Sequence, residues 1–290
     1  MFDTVGYYEP PTNRSIQTNL TDREYHAMKD SLTASQLKAL DVSPAHYQAI
    51  ITGTLRYESK ALDLGKRVHR LLESKELFYA QFMERPENFD GRKTEFKALT
   101  AAAKADGITL IDGEEWRQIH AMVEAYECST DPLVRIARES EGETEISVFW
   151  NEQGLAHRCR PDRLIRPGEA DCEWLCKTYQ SLFTVPFGIE IVVDFKTTSR
   201  YPSPQNWFYT CRDFRYPLAA SHYLSGTQAD AFVWIAIESN PPYTVAGYLM
   251  SPITRETHDL RRQGLLQLLQ NCQRANLWPG LVLSNEERLI

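Results

Sequence analysis

Two oppositely charged residues close an apolar run in this sequence, and their types and spacing could do chemistry. The run and its continuation read Ile189-Glu190-Ile191-Val192-Val193-Asp194-Phe195-Lys196-Thr197-Thr198, and its β-branched residues are typical of a strand buried on both faces. Because strand side chains alternate between faces, Asp194 and Lys196 share one face while Phe195 lies on the other. A carboxylate that holds a hard cation, beside a lysine that orients water or offsets phosphate charge, can cleave a phosphodiester bond.

A second copy of this spacing lies upstream, at Pro86-Glu87 and Glu95-Phe96-Lys97. Residues 97–104, which continue from it, have a helix-forming composition. Side chains two positions apart on a helix do not face each other, so Glu95 and Lys97 cannot converge on one ion. We therefore predict a solvated helix surface for this copy and keep the chemistry at Asp194.

The composition is that of a soluble globular chain of 290 residues, 42% hydrophobic and 24% charged. This length suits one large domain or two small ones. The formal net charge of −7 gives no global basic signature for nucleic acid, although an acidic protein can carry a locally positive channel. No apolar run reaches the length of a membrane span, and the start shows no basic-then-apolar signal, so we expect a cytoplasmic protein with no membrane partner.

The six cysteines are scattered along the chain and include no Cys-x-x-Cys pair. The spacing of Cys172 and Cys176, four positions apart, also does not suggest a zinc or iron–sulfur site. We therefore expect reduced thiols.

The N-terminal part is predicted to be helical after an irregular start. Residues 1–30 are polar and include Pro10-Pro11, so we expect an extended arm or irregular lead-in. Thr33-Ala34-Ser35-Gln36 is a capping box at the start of one short helix. Ser43-Pro44 places a serine cap and a first-turn proline at the start of the next.

A longer helix is predicted over residues 59–76. Leu64, Val68 and Leu71 recur there at helical spacing and would pack inward, with His69 beside their face. A lone histidine in that position is either a half-buried structural side chain or a functional one. Residues 78–140 are predicted to be mainly helical, through helices at about 95–105 and 114–127.

Strands and helices alternate in the rest of the chain. In chain order we predict strands at 145–150 and 155–160, an insertion at 166–188 with a helix around 174–183, and the strand that ends at Asp194 and Lys196. A helix at 213–224, strands at 231–238 and 244–250, and a helix at about 255–276 follow. This order predicts a mixed sheet flanked by helices in one domain.

Five short segments, in this order, resemble the exonuclease VIII (RecE-like) branch of the PD-(D/E)xK nuclease superfamily, whose members process double-stranded DNA ends. The segments are residues 32–38 with 43–47, 65–69, 159–162, 193–198 and 215–223. The likeness covers most of the chain, and the order of the segments makes it stronger than any one of them. It implies an α/β fold with a restriction-endonuclease-like PD-(D/E)xK core in a single domain over 31–290. That domain would have a helical part over 31–140 and a catalytic sheet core over 141–290.

The resemblance also implies the residues of a metal-dependent site. Asp162 and Asp194 would ligate Mg²⁺, or Mn²⁺ in its place, and the Phe195 carbonyl and the His69 side chain would complete the site. Lys196 would position or help to deprotonate the attacking water. These residue types suit the chemistry, since hard oxygen ligands bind hard divalent cations.

Further residues are expected around this site. Glu145, at the head of its predicted strand, either supports the metal or a second one, or is simply exposed to solvent. Tyr216, Tyr223 and Arg160 are expected to position substrate, or in the case of the tyrosines to pack. Relatives commonly carry a glutamine where this chain has Ala219, so one polar side chain that would help to hold the substrate or the lysine is missing.

The activity implied by the resemblance is a metal-dependent exodeoxyribonuclease that degrades one strand of duplex DNA from its end, 5′ to 3′. The single-stranded overhangs would serve phage-type recombination. A homo-oligomeric ring and a single-strand annealing protein are the partners that the family suggests. Two alternatives stay open: another nuclease of the superfamily, of endonuclease or helicase-associated type, and a catalytically silent module that binds DNA ends.

Overall fold

The structure is a computed structural model that describes residues 11–88 and 90–281. Its helices are α1 (Asp22–Ala27), α2 (Ala34–Val42), α3 (Pro44–Ile51), α4 (Lys60–Glu73), α5 (Lys75–Gln81), α6 (Thr94–Ala105), α7 (Gly113–Glu127), α8 (Pro132–Glu139), α9 (Glu169–Thr178), α10 (Pro204–Phe214), α11 (Tyr216–Thr227) and α12 (Pro252–Ala275). Its strands are β1 (Thr12–Gln17), β2 (Phe82–Glu84), β3 (Thr109–Ile111), β4 (Glu141–Thr144), β5 (Ser147–Glu152), β6 (Leu155–Cys159), β7 (Arg163–Arg166), β8 (Ile191–Thr198), β9 (Ala231–Glu238) and β10 (Val245–Leu249).

Five strands form the central sheet, in the order β10-β9-β8-β7-β4. Strands β8 and β9 are parallel, whereas the other neighbouring pairs are antiparallel. The predicted mixed sheet flanked by helices is therefore confirmed. Strand β8 lies in the middle, and its register places Asp194 beside Trp234 and Lys196 beside Ala236 of β9.

Strand β8 is covered on both faces, as its β-branched composition predicts. Ile191, Val193 and Phe195 belong to one buried cluster, which they share with residues of α4, α7 and α8. Val192 belongs to a second cluster on the opposite face, together with Trp207 of α10. Full burial of one such aliphatic side chain stabilises a fold by about 1.5–3 kcal/mol. The apolar part of β8 thus holds its charged C-terminal end in a defined place.

Helix α4 packs closely against β8. Val68 is fully buried in the interface. A Cβ at Gly65 would lie 3.2 Å from Oγ1 of Thr197, so glycine is what lets the helix come this near the strand. The helix ends at Glu73, earlier than predicted, because the Ser74 side chain caps the start of α5.

The chain before α2 is more regular than the irregular lead-in predicted for residues 1–30. In its described part, β1 pairs antiparallel with β5, and Thr21 and Glu24 form a capping box at the start of α1. Strands β1, β5 and β6 make a separate three-stranded sheet. All six residues of β1 are exposed, so no apolar alternation marked it as a strand. The prediction for residues 1–10 lies outside the described residues.

The helix predicted over 213–224 is wrong at its start. Helix α10 extends to Phe214, Arg215 takes a left-handed conformation with φ of +54°, and α11 begins at Tyr216. Pro217 explains the break, because proline lacks an N–H and its ring clashes with the preceding turn of a continuous helix. Both tyrosines of the prediction still lie on α11.

Other sequence predictions are met with shifted boundaries. The insertion before β8 does carry a helix, but α9 lies at Glu169–Thr178 rather than 174–183. Glu95 and Lys97 lie on α6, which confirms the helical interpretation of the second spacing copy. The six cysteines form no disulfide. Among the helices of the described residues, none combines the length and apolar character that a membrane span requires.

Candidate active site

The charged end of β8 forms a close ion pair. Nζ of Lys196 donates a hydrogen bond to Oδ1 of Asp194 at 2.6 Å and another to the carbonyl of Phe195 at 3.2 Å. The predicted sharing of one strand face by Asp194 and Lys196 is therefore observed. Their side chains retain exposures of 9% and 24%, so solvent reaches the lysine more than the carboxylate.

Asp162 reaches the same place from the link between β6 and β7. Strand β7 pairs antiparallel with β8, with Arg163 beside Val193. This pairing brings the Asp162 carboxylate to the strand end, where Oδ2 accepts the backbone N–H of Phe195 at 2.6 Å. The two aspartates, which are far apart in sequence, thus flank one peptide group of β8.

His69 approaches from α4. Its Nδ1 lies 3.5 Å from Oδ2 of Asp162. Its ring meets the Phe195 ring edge-on, with 6.1 Å between centroids. The predicted histidine therefore faces the predicted first carboxylate, and Phe195 contacts both through different atoms.

Burial and charge oppose each other at the pair of Asp162 and His69. Burial alone raises the pKa of Asp162, but His69, Lys196 and the Phe195 N–H outweigh it and hold the pKa below its usual value. Burial alone lowers the pKa of His69, but the Asp162 carboxylate outweighs it and raises that pKa. The pair therefore favours an imidazolium beside a carboxylate.

The second pair shows the same opposition. Burial raises the pKa of Asp194, and Asp162 adds to this, so the charged form of Asp194 depends on Lys196. Burial lowers the pKa of Lys196, but the two carboxylates outweigh it and raise that pKa overall. Lys196 is accordingly held as an ammonium group.

Glu145 lies next to Asp162 but not at the head of a strand, which corrects the sequence prediction. It stands between β4 and β5 with φ of +52°, and its N–H donates to the carbonyl of Asp162 at 3.2 Å. Oε2 is 4.0 Å from Nε of Arg160. Burial raises the pKa of Glu145 to about 8, with Asp162 and Glu73 contributing. A cation would be needed nearby to keep this carboxyl group charged at neutral pH.

Arg160 makes several internal hydrogen bonds beside the cleft. It is 8% exposed, and its guanidinium donates to Oγ of Ser147 at 2.8 Å, to Oδ1 of Asp22 at 2.7 Å and to the carbonyl of Leu20 at 2.8 Å. It also lies over the ring of Tyr25, 4.3 Å from the centroid. These bonds hold the segment around α1, and the substrate-positioning role of Arg160 stays a prediction.

The two predicted tyrosines take different positions along α11. The ring centroid of Tyr216 is 5.5 Å from Nζ of Lys196. Tyr223 lines the cleft that contains His69 and Asp162, and its ring packs near Phe232. Tyr216 thus adjoins the pair of Asp194 and Lys196, and Tyr223 adjoins the pair of Asp162 and His69.

Sequence reasoning missed two charged residues near the site. Glu73 lies one turn after His69 on α4; burial raises its pKa, and Asp22 and Asp162 add to the increase. The four-residue spacing from His69, which places both on one helix face, could have indicated it. Lys38, on α2, is close enough to Lys196 for charge repulsion, and burial followed by this repulsion lowers its pKa to about 8.

His69, Asp162, Glu145 and Tyr223 line an open cleft of about 610 Å³. Its basic lining residues come from α4 and β6 and their ends: Lys66, Arg70, Arg158 and Arg160. A larger groove of about 850 Å³, between the N-terminal ends of α4 and α7, contains none of the predicted site residues. The smaller cleft thus joins His69, Glu145 and Asp162 to solvent, and its lining does not include Asp194 or Lys196.

The donor atoms at the end of β8 suit a hard divalent cation. They are two carboxylates, the Phe195 carbonyl and an imidazole, and oxygen ligands are those that Mg²⁺ and Mn²⁺ prefer. Within the described residues, no hydrogen bond reaches Oδ1 of Asp162 or Oδ2 of Asp194, so each carboxylate keeps one oxygen for a cation. In that same part of the chain no three His, Cys, Asp or Glu side chains already converge as a metal site. Lys196 and His69 instead neutralise the two aspartates.

The central mixed sheet and the helices that flank it form an α/β fold with a restriction-endonuclease-like PD-(D/E)xK core. Residues 33–174 match a family model described as a PDDEXK-like domain of unknown function. The match includes His69, Glu145 and Asp162 and ends before β8, so it does not cover Asp194 and Lys196.

A solved structure supports the fold over most of the chain. A protein from Eubacterium rectale, provisionally described as an exonuclease, is similar with a TM-score of 0.53 at 13% identity, over 94% of this chain and 100% of that one. The structure of the protein SSO0001 is more distant, with a TM-score of 0.36 at 12% identity over 84% of this chain and 81% of that one. A search of curated proteins found no significant match.

Proposed function

We propose that this protein is a divalent-metal-dependent exodeoxyribonuclease that degrades one strand of duplex DNA from its end, in the 5′ to 3′ direction. The single observation that carries the proposal is the juxtaposition of two aspartates and a lysine around the backbone of Phe195. Oδ2 of Asp162 accepts the Phe195 N–H at 2.6 Å. Nζ of Lys196 lies 2.6 Å from Oδ1 of Asp194, the residue that precedes Phe195. A binding module would gain little from clustered carboxylates in a cleft that faces phosphate, because like charges repel.

The metal would be held by the free oxygens of Asp162 and Asp194, with the Phe195 carbonyl and the His69 ring as further donors. When bound, such a cation lowers the pKa of a coordinated water and offsets the negative charge that develops on the phosphate. His69 would have to be neutral to act as a ligand, since a protonated imidazole has no lone pair to donate. In the imidazolium form it instead stabilises Asp162 through the observed contact of 3.5 Å.

Lys196 is assigned to orienting the attacking water and offsetting phosphate charge. Its hydrogen bonds to Asp194 and to the Phe195 carbonyl fix Nζ beside both proposed donors. A preorganised ammonium group in a partly buried site stabilises developing negative charge more than the same group in water. Tyr223, on the wall of the cleft, is assigned to positioning substrate.

The remaining parts of the proposal rest on the family resemblance of the sequence. They are Mg²⁺ as the metal with Mn²⁺ able to substitute, duplex DNA ends as substrate, and single-stranded overhangs for recombination as product. A ring-shaped homo-oligomer, a single-strand annealing protein as partner, and a cytoplasmic location complete it.

The decisive experiment is a time course on end-labelled linear duplex and on closed circular duplex of the same sequence, in Mg²⁺. We expect progressive loss of one strand of the linear DNA from the 5′ end and no cleavage of the circle. Comparing 5′-phosphate with 5′-hydroxyl ends reports the preferred terminus. Cleavage of the circle would replace the exonuclease by an endonuclease, and digestion that persists in EDTA would overturn the metal-dependent mechanism.

A further inference from the structure

Two lysine ammonium groups face the ring of Tyr216 at the start of α11. Nζ of Lys196 lies 5.5 Å from the ring centroid and Nζ of Lys38 lies 5.8 Å from it. These distances are in the range of cation–π contacts. The tyrosine ring therefore links the β8 lysine to a second lysine, on α2.

The positive charge of Lys38 is not balanced by an ion pair with a carboxylate in the described part of the chain. Within the described residues Lys38 forms no ion pair, and Asp194 is already paired with Lys196. The nearby Arg215 is paired with Asp41, which also accepts a bond from another arginine. An anionic ligand is the missing element that would offset this excess charge, because burial makes uncompensated charge costly.

An exposed aromatic ring continues the same cluster. The ring of Phe214 stacks on that of Tyr216, with 5.6 Å between centroids and 19° between planes. Phe214 is nevertheless 59% exposed, so its outer face is open. Excess positive charge beside an open aromatic face is the combination that binds unpaired nucleotides, with phosphates on the cations and bases stacked on the ring.

We propose that Lys38, Tyr216 and Phe214 form a subsite for the unpaired nucleotide next to the scissile phosphate. Lys38 contacts the phosphate of that nucleotide, and the open face of Phe214 stacks on its base. Tyr216 holds the two groups together and adjoins Lys196, which places the subsite directly beside the cleavage point. The inference rests on the proposed nuclease function and adds to it a binding site for single-stranded DNA.

The test is binding rather than cleavage. Fluorescence anisotropy would be measured with a short labelled oligothymidylate and with an abasic deoxyribose-phosphate strand of equal length. The titrations would be run in EDTA, which removes the divalent cation and so prevents cleavage of the probe. We expect Phe214→Ala to weaken binding of the thymine strand about tenfold and to leave the abasic strand unchanged. We expect Lys38→Gln to weaken both strands and to reduce the salt dependence of binding by about 0.7, the value for one phosphate contact on a single strand.

Phe208→Ala is the matched control, since Phe208 is 64% exposed on the same helix and makes no ring contact with Tyr216 among the described residues. Phe214→Trp should restore binding, because a tryptophan ring also stacks. The subsite is refuted if Phe214→Ala behaves like Phe208→Ala on both strands while the wild type binds and cleaves DNA. A wild type that binds neither strand would instead remove the proposed function and the subsite together.

Discussion

Asp162 accepts the backbone N–H of Phe195 at 2.6 Å, although 33 positions separate the two residues. This bond joins the β6–β7 link to the end of β8 and brings one carboxylate beside the other. The ring of Phe195 meanwhile packs against Tyr126 and His69 on the opposite face of the strand. One residue therefore connects the core to both sides of the proposed metal site.

Removing either carboxylate should abolish metal binding. For Asp162→Asn and Asp194→Asn, we expect the calorimetric signal of Mg²⁺ binding to disappear, because an amide oxygen carries no net charge. DNA cleavage should fall by more than about 100-fold. Removing a residue that only orients a metal ligand already costs up to about 100-fold, and a direct ligand should cost more. Glu95→Gln, in the second copy of the spacing on α6, should leave both measurements unchanged. Full Mg²⁺ affinity in both aspartate variants would exclude them as ligands.

Lys196→Ala should separate chemistry from binding. Cleavage should fall by about 100-fold to 1000-fold, as for loss of one preorganised charge-stabilising group. Mg²⁺ affinity should be kept or increased, because the ammonium group no longer competes for Asp194. Single-turnover kinetics and calorimetry would measure the two effects. Lys97→Ala is the matched control, and equal cleavage rates for the two variants would contradict the role assigned to Lys196.

Arg262 should matter far more for stability than its neighbour Arg261. Arg262 is 2% exposed and donates to Oε2 of Glu152 at 2.6 Å, so Arg262→Met would leave a buried carboxylate without its partner. We expect a loss of about 3–5 kcal/mol in the free energy of unfolding. Arg261→Met removes a more exposed pair with Asp41 and should cost about 0–1 kcal/mol. Denaturant unfolding would measure both, and equal losses would contradict the buried position of Arg262.

The buried histidine His157 should make the fold sensitive to mild acid. Burial lowers its pKa to about 4, so between the ordinary pKa of about 6.5 and this value the unfolded chain binds more protons than the native one. The free energy of unfolding should therefore fall as the pH drops through this window, by up to about 1.4 kcal/mol per pH unit. The melting temperature of His157→Gln should depend less on pH in this window than the melting temperature of His120→Gln. Parallel curves for the two variants would rule out this origin.

Two helical glycines should respond to alanine with opposite signs. A Cβ at Gly226 would lie 2.3 Å from a ring atom of the buried Trp150, so Gly226→Ala should destabilise the fold by about 1–3 kcal/mol. A Cβ at Gly264 of α12 would meet nothing within 4 Å, so Gly264→Ala should stabilise it by about 0.5–1 kcal/mol. Melting temperatures shifted in the same direction would refute the packing described around α11.

Secondary-structure elements that depend on neighbouring residues could be predicted from the sequence alone. The β-branched run of β8, the capping box at Thr33 and the proline start after Ser43 each depend on neighbouring residues, and each was predicted and found. Strand β9 was predicted with its observed ends, since residues 231–237 form a continuous apolar run. The break at Arg215 also has a local signal in Pro217, which disfavours one continuous helix through this position.

The parts that the sequence could not supply depend on contacts between distant segments. The motif that contains Arg160 is visible in the sequence, but its bonds to Asp22 and Leu20 depend on the position of α1. Lys38 carries no distinctive spacing to Asp194, and only the packing of α2 brings it near. The roles proposed for Asp162, Asp194, Lys196 and His69 stay predictions for the experiments above.

The internal hydrogen bonds of Arg160 connect the candidate site to the N-terminal part of the chain. Arg160 precedes Asp162 by two positions, and it donates hydrogen bonds to the carbonyl of Leu20 and the carboxylate of Asp22. Trimming the chain back to the start of α2 would thus release the backbone that carries a proposed metal ligand, far from the cut in sequence. A shortened protein could keep its central sheet and still lose its affinity for Mg²⁺.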